Sequence, residues 1–259
     1  MCGIAGILHF DGRPVESADI KLMTDAIAHR GPDGEGQWCE GPLGFGHRRL
    51  AIIDLTSSAS QPMFSLDGRY IITYNGEVYN FRELRRELEK SGSRFRSHSD
   101  TEVVLEAVIR WGIDTAIRRF NGMFAFAIWD RERKTLLLGR DRYGIKPLYI
   151  WTSRNSFAFA SEPKAFRALP YFTPGLDAQG VAEYFTFQNL LTDKTFLKDV
   201  RVFPAGYFGR LVAHGASETL EEFQYWDFHF VEPNDPATEA EYVEELGRLL
   251  TRAVDRQLL

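Results

Sequence analysis

The sequence predicts a sandwich of β-sheets and helical layers, either an α+β or an α/β/α fold. Strand-like apolar runs come first, helical patterns follow them, and further strand-like runs complete roughly the first 165 residues. Hydrophobic residues make up 44% of the 259 positions, so the chain can bury a sizeable core. This length suits one large domain, or a domain with part of another.

The amino-terminal part of the chain predicts two strands with a helix between them. The run GIAGILHF at 3–10 is typical of a buried strand, and residues 43–55 also have a strand-like pattern. A helix is expected over 17–29, with Ser17 as its N-cap. The turn residues of 31–34 then end it. Three apolar side chains share one face of this helix: Ile20, Met23 and Ile27.

The middle of the chain predicts one strand followed by two helices. Residues 70–80 alternate like a strand. Asn80 can cap a helix over 81–90, which the following Ser-Gly pair would end. The sequence SDTE at 99–102 has the spacing of a capping box and precedes an apolar helical run.

The remaining residues predict short strands, then a looser region, then a last helix. Strands are expected at 122–130, 135–141, 147–151 and 156–162. A linker containing Pro and Glu is expected over 231–241. Residues 238–259 have helical spacing, with an apolar face made of Tyr242, Leu246, Leu249, Leu250, Ala253, Val254 and Leu258. Because such a face needs a cover, we expect a second domain downstream.

Composition and charge exclude several classes of protein. The net charge of −5 and the pI near 5.7 argue against a nucleic-acid-binding or membrane-binding surface. The sequence lacks the roughly 18 consecutive apolar residues of a spanning helix, and its first apolar run lacks the flanks of a signal peptide. Two cysteines make no disulfide framework, and no Cys/His spacing fits a metal. We therefore expect a soluble, cytoplasmic protein without a structural metal.

Cys2 directly follows the initiator methionine, and two interpretations are open. A cysteine here can simply be a small hydrophobe at the start of a strand. Alternatively, removal of Met1 leaves a residue whose thiol is a nucleophile and whose α-amine is a base. A free α-amine has a pKa of about 7.7–8.0, close to the working pH of a general base. The other cysteine, Cys39, has no assigned role beyond packing or surface.

Asn75 and Gly76, within YNGEVYN, also allow two interpretations. An Asn-Gly pair between strand residues is a strong signal for a hairpin turn. Alternatively, the Asn75 amide and the Gly76 backbone N–H form an oxyanion hole. A glycine would let the backbone come close to a substrate.

Arg49 and Asp100 are candidates for binding a free amino acid. Arg48 and Arg49 could be surface charges, but Arg49 starts an apolar run that would hold a guanidinium rigidly for a carboxylate. Asp100 could simply favour the first turn of its helix. Alternatively, it is the counter-ion of an α-ammonium group.

Eight segments, in chain order, carry a resemblance to a known family: MCGIAGI, HRGPDGEG, GHRRLAIIDL, QPM, YNGEVYN, SDTEVVL, FNGMFAFAIWD and GRDRYGIKPLYI. They resemble the amidotransferase domain of glutamine-hydrolysing asparagine synthetases, of the class II, amino-terminal-nucleophile type. The resemblance implies a four-layer αββα sandwich. No chemistry is assigned to GRDRYGIKPL, whose arginines and lysine are expected to fix loops or face a partner domain.

The resemblance implies a role for each candidate residue. Cys2 resembles the nucleophile, Arg49 the carboxylate clamp and Asp100 the ammonium partner. Asn75 and Gly76 resemble the oxyanion hole. Three further contacts with glutamine are implied, namely Glu77 and the backbone of Ile52 and Ile53.

The resemblance also implies a domain organisation. Residues 2–165 would form the amidotransferase core, 166–235 its extension and linker, and 236–259 the first helix of a synthetase domain. The Ser-Gly-Gly-x-Asp-Ser loop that binds ATP in that second domain does not occur in the sequence. ATP and Mg²⁺ are therefore expected only in the missing domain, and no cofactor is expected for glutamine hydrolysis.

The implied function is the glutaminase half of an asparagine synthetase, which hydrolyses L-glutamine and supplies ammonia to amidate aspartate. Homodimers are also implied. Two alternatives stay open. The acceptor could be a sugar, a peptide or an antibiotic precursor, or the chain could be a non-catalytic relative.

Overall fold

The computed structural model describes residues 1–213, 219–232 and 237–258. Those ranges contain twelve strands and seven α-helices. The strands are β1 (Gly3–His9), β2 (Gly34–Glu40), β3 (Leu43–Arg49), β4 (Met63–Phe64), β5 (Tyr70–Val78), β6 (Gly122–Asp130), β7 (Thr135–Arg140), β8 (Tyr149–Thr152), β9 (Ser156–Ala160), β10 (Val200–Val202), β11 (Tyr207–Val212) and β12 (Glu221–Gln224). The helices are α1 (Ser17–Ala26), α2 (Phe81–Lys90), α3 (Asp100–Trp111), α4 (Ile113–Arg119), α5 (Lys164–Arg167), α6 (Ala178–Phe187) and α7 (Glu239–Gln257).

Two six-stranded antiparallel sheets lie at the centre of the molecule. The first has the strand order β10–β8–β9–β1–β3–β2, and the second has the order β12–β11–β7–β6–β5–β4. Helices α1 and α5 pack on the outer face of the first sheet. Helices α2, α3 and α4 pack on the outer face of the second. The expected α+β architecture, with layers in the order α, β, β, α, is confirmed.

Successive side chains of the central strands point to opposite faces of their sheet, and this alternation builds the layers. On β6, residues 124, 126 and 128 pack against the helices, whereas residues 125, 127 and 129 pack between the sheets. On β1, Ile4 and Leu8 face the second sheet, whereas Ala5 and Ile7 face α1. Both faces of these strands are buried, which is why the sequence shows continuous apolar runs there.

The strand predicted over 43–55 is too long. β3 ends at Arg49, and the residues after it form a loop. Asp33 and the Arg49 side chain hold this loop: Ala51 donates its backbone N–H to Asp33 Oδ2 at 2.8 Å, and Arg49 donates to the carbonyl of Thr56 at 3.0 Å. Side chains, rather than a neighbouring strand, therefore fix its path.

The hairpin interpretation of Asn75 and Gly76 is wrong. Both residues lie inside β5, where they pair with Ala125 and Phe124 of β6. β6 stays paired with β5 as far as Val78, the last residue of β5. This long-range pairing outweighs the local turn preference of the Asn-Gly pair.

The predicted helix caps are confirmed in part. α1 begins at Ser17, so Glu16 occupies its N-cap position. Ser99 caps α3 as predicted, but the Glu102 carboxylate binds backbone N–H groups of the preceding loop instead of completing the capping box. Asn80 occupies the N-cap position of α2, and its side chain bonds to the segment before β6.

The carboxy-terminal helix is present as α7, which starts with a capping box between Thr238 and Glu241. In α7, no residue that the structure describes is buried. The predicted linker over 231–241 and the domain boundary at 235/236 fall partly or wholly on residues 233–236, which lie outside the described residues. Over the described ranges, no helix combines the length and the apolar character needed to cross a membrane.

Candidate active site

One pocket contains the site residues that the sequence predicted. Its walls are formed by the two residues before β1, the end of β3 with the loop that follows it, the second half of β5 and the start of α3. Two hydrogen bonds join the sheets beside it: Thr73 Oγ1 donates to the Gly46 carbonyl at 3.2 Å, and His47 Nε2 lies 3.2 Å from the Tyr74 carbonyl. The pocket is lined by all eight predicted residues: Cys2, Arg49, Ile52, Ile53, Asn75, Gly76, Glu77 and Asp100.

The Cys2 thiol lies against the backbone of the loop that follows β3. Its Sγ accepts from the Leu50 N–H at 3.3 Å and is 3.5 Å from the Leu50 carbonyl. Burial raises the pKa of the Cys2 thiol, while the Leu50 hydrogen bond, the charge of the amino terminus and Lys146 lower it. Met1 also lines the pocket, so the chain start lies at the site.

Arg30 anchors the backbone of the candidate nucleophile. Its Nε donates to the Cys2 carbonyl at 2.9 Å, and its Nη1 donates to Glu162 Oε1 at 2.9 Å. Glu162 is held in turn by His29 at 2.9 Å and Lys164 at 3.1 Å. This network fixes where β1 begins and therefore where the thiol lies.

The Asn75 side chain carries a buried amide without a hydrogen-bond partner among the described residues. Asn75 is 1% exposed, and its Nδ2 is buried with no hydrogen-bond partner in the part of the chain that the structure describes. Buried donors in native proteins are normally paired. An unpaired amide that lines the same pocket as a thiol is therefore suited to bind a developing negative charge.

A contact between two strands, which the sequence alone does not show, requires a glycine at position 76. A Cβ at this position would lie 2.5 Å from the Met123 carbonyl oxygen and 2.7 Å from the Phe124 Cβ. Both atoms belong to β6, which pairs with β5 along this stretch. The close approach that requires a glycine here is thus the one between β5 and β6.

The Asp100 carboxylate is buried, unlike a typical helix-capping acid. Its Oδ2 accepts from the Tyr74 hydroxyl at 2.7 Å and from the Val78 N–H at 3.0 Å. Burial raises the pKa of Asp100 to about 6, although both hydrogen bonds lower it. A buried carboxylate in a pocket is well suited to pair with a cation.

Arg49 organises the loop that lines the pocket. Its guanidinium donates to the carbonyls of Thr56 and Asp54. The Asp54 carboxylate accepts from the Thr56 N–H and from the His98 N–H, each at 2.9 Å. The loop is therefore connected to β3 on one side and to the segment before α3 on the other.

The other predicted residues differ in how deeply their side chains are buried. Ile52 is 57% exposed, and Ile53 packs against the core beneath α2 and α3. Glu77 is half-buried on β5. Cys39 packs against the core beneath α1, which agrees with a packing role. Within the described residues, no group of three or more His, Cys, Asp or Glu side chains could hold a metal ion.

Three further pocket residues lie in segments that carry the family resemblance but were not predicted to belong to the site. Gln61, from QPM, accepts from the Tyr74 N–H at 2.6 Å and donates to Thr101 Oγ1 at 3.3 Å. His47 is buried, and burial lowers its pKa to about 4, so it is neutral at pH 7. Lys146, from GRDRYGIKPL, was expected to fix a loop or face a partner domain, yet it lines this pocket.

Comparison with known proteins identifies the family of this site. Residues 1–226 match the family described as "Glutamine amidotransferase domain". The chain is 36% identical, over its whole length, to "Asparagine synthetase [glutamine-hydrolyzing] 3" of Bacillus subtilis, and it spans 42% of that protein. It is 33% identical over 98% of its length to "Amidase chry2" of Gibberella zeae, of which it spans 39%.

A solved structure supports the fold assignment. The glutamine phosphoribosylpyrophosphate amidotransferase of B. subtilis, complexed with ADP and GMP, superimposes with a TM-score of 0.65. The match covers 87% of this chain and 49% of that one at 20% identity, so it shows the fold alone. The sequence match over residues 1–226 is what decides the family. The chain belongs to the glutamine amidotransferase domain family.

Proposed function

We propose that this chain, once Met1 is removed, hydrolyses the side-chain amide of L-glutamine to glutamate and ammonia. The observation that carries the proposal is the buried, unpaired Nδ2 of Asn75 in the pocket of the Cys2 thiol. Leaving a buried donor unpaired costs about 1–3 kcal/mol. That cost is offset if the donor binds the oxyanion of the reaction.

The reaction proceeds by attack of the Cys2 sulfur on the γ-carbonyl carbon. The thiol proton passes to the α-amine of Cys2, and Asn75 and Gly76 donate hydrogen bonds to the oxyanion. The C–N bond then breaks, the leaving nitrogen takes the proton, and ammonia departs from a γ-glutamyl thioester. Water adds to the thioester with the amine again as base, and glutamate leaves. These steps balance with water as the only co-reactant, so the proposal includes no cofactor.

Charged groups of the pocket bind the amino-acid end of glutamine. The Arg49 guanidinium pairs with the α-carboxylate. Asp100 pairs with the α-ammonium, and Glu77 lies beside it on β5. The backbone of Ile52 and Ile53 completes the pocket. A ligand with both charges and a side-chain amide fits this set of groups.

The test is glutamate release from L-glutamine by the wild-type chain and by Cys2→Ala. Mass spectrometry first verifies that Met1 has been removed, because an acylated nitrogen cannot act as the base. We expect glutamate from the wild type and none from Cys2→Ala. Cys39→Ala is the matched control and should release glutamate at the wild-type rate. A processed wild type that releases no glutamate contradicts the proposal.

We further propose that the ammonia serves an ATP-dependent synthetase domain that amidates aspartate. The chain spans about two-fifths of the length of both curated relatives, and one of these is named an asparagine synthetase. In this proposal residues 2–165 are the core, 166–235 the extension and linker, and 236–259 the first helix of the synthetase domain, where ATP and Mg²⁺ bind. Cytoplasmic localisation and a homodimer belong to the same proposal.

A second candidate is another acceptor, such as a sugar, a peptide or an antibiotic precursor, since a relative of similar identity is not named an asparagine synthetase. A longer version of the chain, incubated with glutamine, aspartate and ATP, should form asparagine in step with glutamate. Glutamate release without asparagine would favour the other acceptor. Sedimentation velocity of the same sample tests the homodimer.

A further inference from the structure

Lys146 is a buried cation of the pocket for which the proposed reaction has no use. It is 4% exposed and lines the pocket together with Cys2, Asn75 and Glu77. Among the described residues, its Nζ is not one of the fully buried polar atoms without a partner, so the ammonium group is not sealed from the pocket. A mostly buried lysine that lines the same pocket as a thiol is a candidate for a role at the site.

The backbone of Lys146 is fixed relative to the candidate oxyanion hole. Its N–H donates to Asp141 Oδ2 at 3.0 Å, and the same oxygen accepts from the Phe124 N–H at 3.1 Å. Phe124 is the register partner of Gly76 on β5. The Lys146 carbonyl also accepts from Arg140 Nε at 3.0 Å. The position of this lysine is therefore determined by the same strands that form the site.

The charges around Lys146 indicate which group it acts on. Cys2, Glu77 and Asp141 favour its charged form, whereas Arg30 and burial oppose it, and burial lowers the pKa of Lys146. In the other direction, burial and Asp100 oppose ionisation of the Cys2 thiol. The Leu50 N–H, the amino terminus and Lys146 favour it. Lys146 is thus a side-chain cation that opposes the effect of burial on the thiol pKa.

We propose that Lys146 is a positioning residue that stabilises the thiolate form of Cys2 by its charge. The inference rests on the proposed role of Cys2 as the nucleophile. When the thiol proton moves to the α-amine, negative charge forms on sulfur in a buried place. A fixed ammonium on the wall of the pocket lowers the free energy of that state, so less free energy is needed to ionise the thiol.

The test measures thiol ionisation separately from glutamine hydrolysis. Iodoacetamide alkylates only the thiolate: an S–C bond forms, the C–I bond breaks and iodide leaves. The rate of alkylation at Cys2, followed by peptide mass mapping from pH 5 to 10, gives the apparent pKa of the thiol. In Lys146→Met this pKa should rise by about one unit or more. In Lys146→Arg, which keeps the charge, it should stay close to the wild-type value.

Two controls distinguish an effect of the Lys146 charge from a general effect of substitution on the protein. Lys90→Met changes an exposed lysine at the end of α2 and should leave the Cys2 profile unchanged. Cys39, on β2, is an internal reference whose alkylation should be the same in every variant. Thermal unfolding checks that each variant is folded. If Lys146→Met is not, Lys146→Gln, which is also neutral, carries the same expectation.

An unchanged Cys2 profile in a folded neutral variant would overturn the proposal. Equal shifts in Lys146→Met and Lys146→Arg would also overturn it, because shape and not charge would then be responsible. Glutamate release is measured on the same samples. A wild type that is alkylated as expected but releases no glutamate contradicts the proposed function and leaves the role of Lys146 supported.

Discussion

At the residue scale, Asn75 is the residue on which the proposed stabilisation of negative charge depends. Its unpaired Nδ2 is available to an oxyanion without breaking an existing bond. Asn75→Ala should lower kcat for glutamate release by roughly 10²–10³-fold, because one oxyanion donor is worth about 2.7–4 kcal/mol. Steady-state kinetics measure this effect. Asn189→Ala, at an exposed asparagine beyond α6, is the control and should behave as wild type.

Asp100 should make glutamine binding dependent on pH. Its pKa of about 6 lies above its ordinary value, so protonation sets in as pH falls through about 6. A neutral carboxyl cannot pair with the α-ammonium of the substrate, so the KM for glutamine should rise below that pH. The KM of Asp100→Asn should be high and flat between pH 5 and 8. A wild-type KM that does not change over this range would contradict the proposed ammonium contact.

At the element scale, the pairing of β5 with β6 sets the position of Asn75 and Gly76, the proposed oxyanion hole. Gly76→Ala places a Cβ 2.5 Å from a backbone oxygen of β6, which forces the two central strands apart. Overpacking of this kind should lower the free energy of unfolding by about 1–3 kcal/mol, as measured by urea titration. Gly247→Ala in α7 meets no atom within 4 Å and should cause no loss of stability. Equal effects of the two changes would argue against the strand contact.

At the scale of the whole molecule, α7 contributes little to the core. Leu246 is 67% exposed, so Leu246→Gln should change the free energy of unfolding by less than about 0.5 kcal/mol. Leu138→Ala, between the two sheets, should cost about 2–5 kcal/mol. Thermal unfolding of both variants measures the contrast. A large loss on Leu246→Gln would mean that the face of α7 is covered in this chain.

Much of the fold followed from the sequence because its signals are local. Continuous apolar runs predicted the buried strands β1, β6 and β9. Helical spacing predicted α1 and α7, and start and stop signals predicted α2. The errors occurred where distant contacts outweigh local preference. The Asn-Gly pair became part of β5 because β6 pairs with it. Glu102 does not form the predicted capping box, because its carboxylate binds backbone N–H groups of the loop before α3.

The candidate site was likewise predicted only in part from the sequence. The sequence by itself determined which groups are available, namely a thiol at the chain start, an amide, a guanidinium and carboxylates, because these are properties of single residues and short motifs. Only the tertiary structure decided that Asn75 Nδ2 is unpaired, that Asp100 is buried and that Lys146 lines the pocket. Burial and pairing depend on strands and loops that are far apart along the chain. They exist only once the two sheets have packed together.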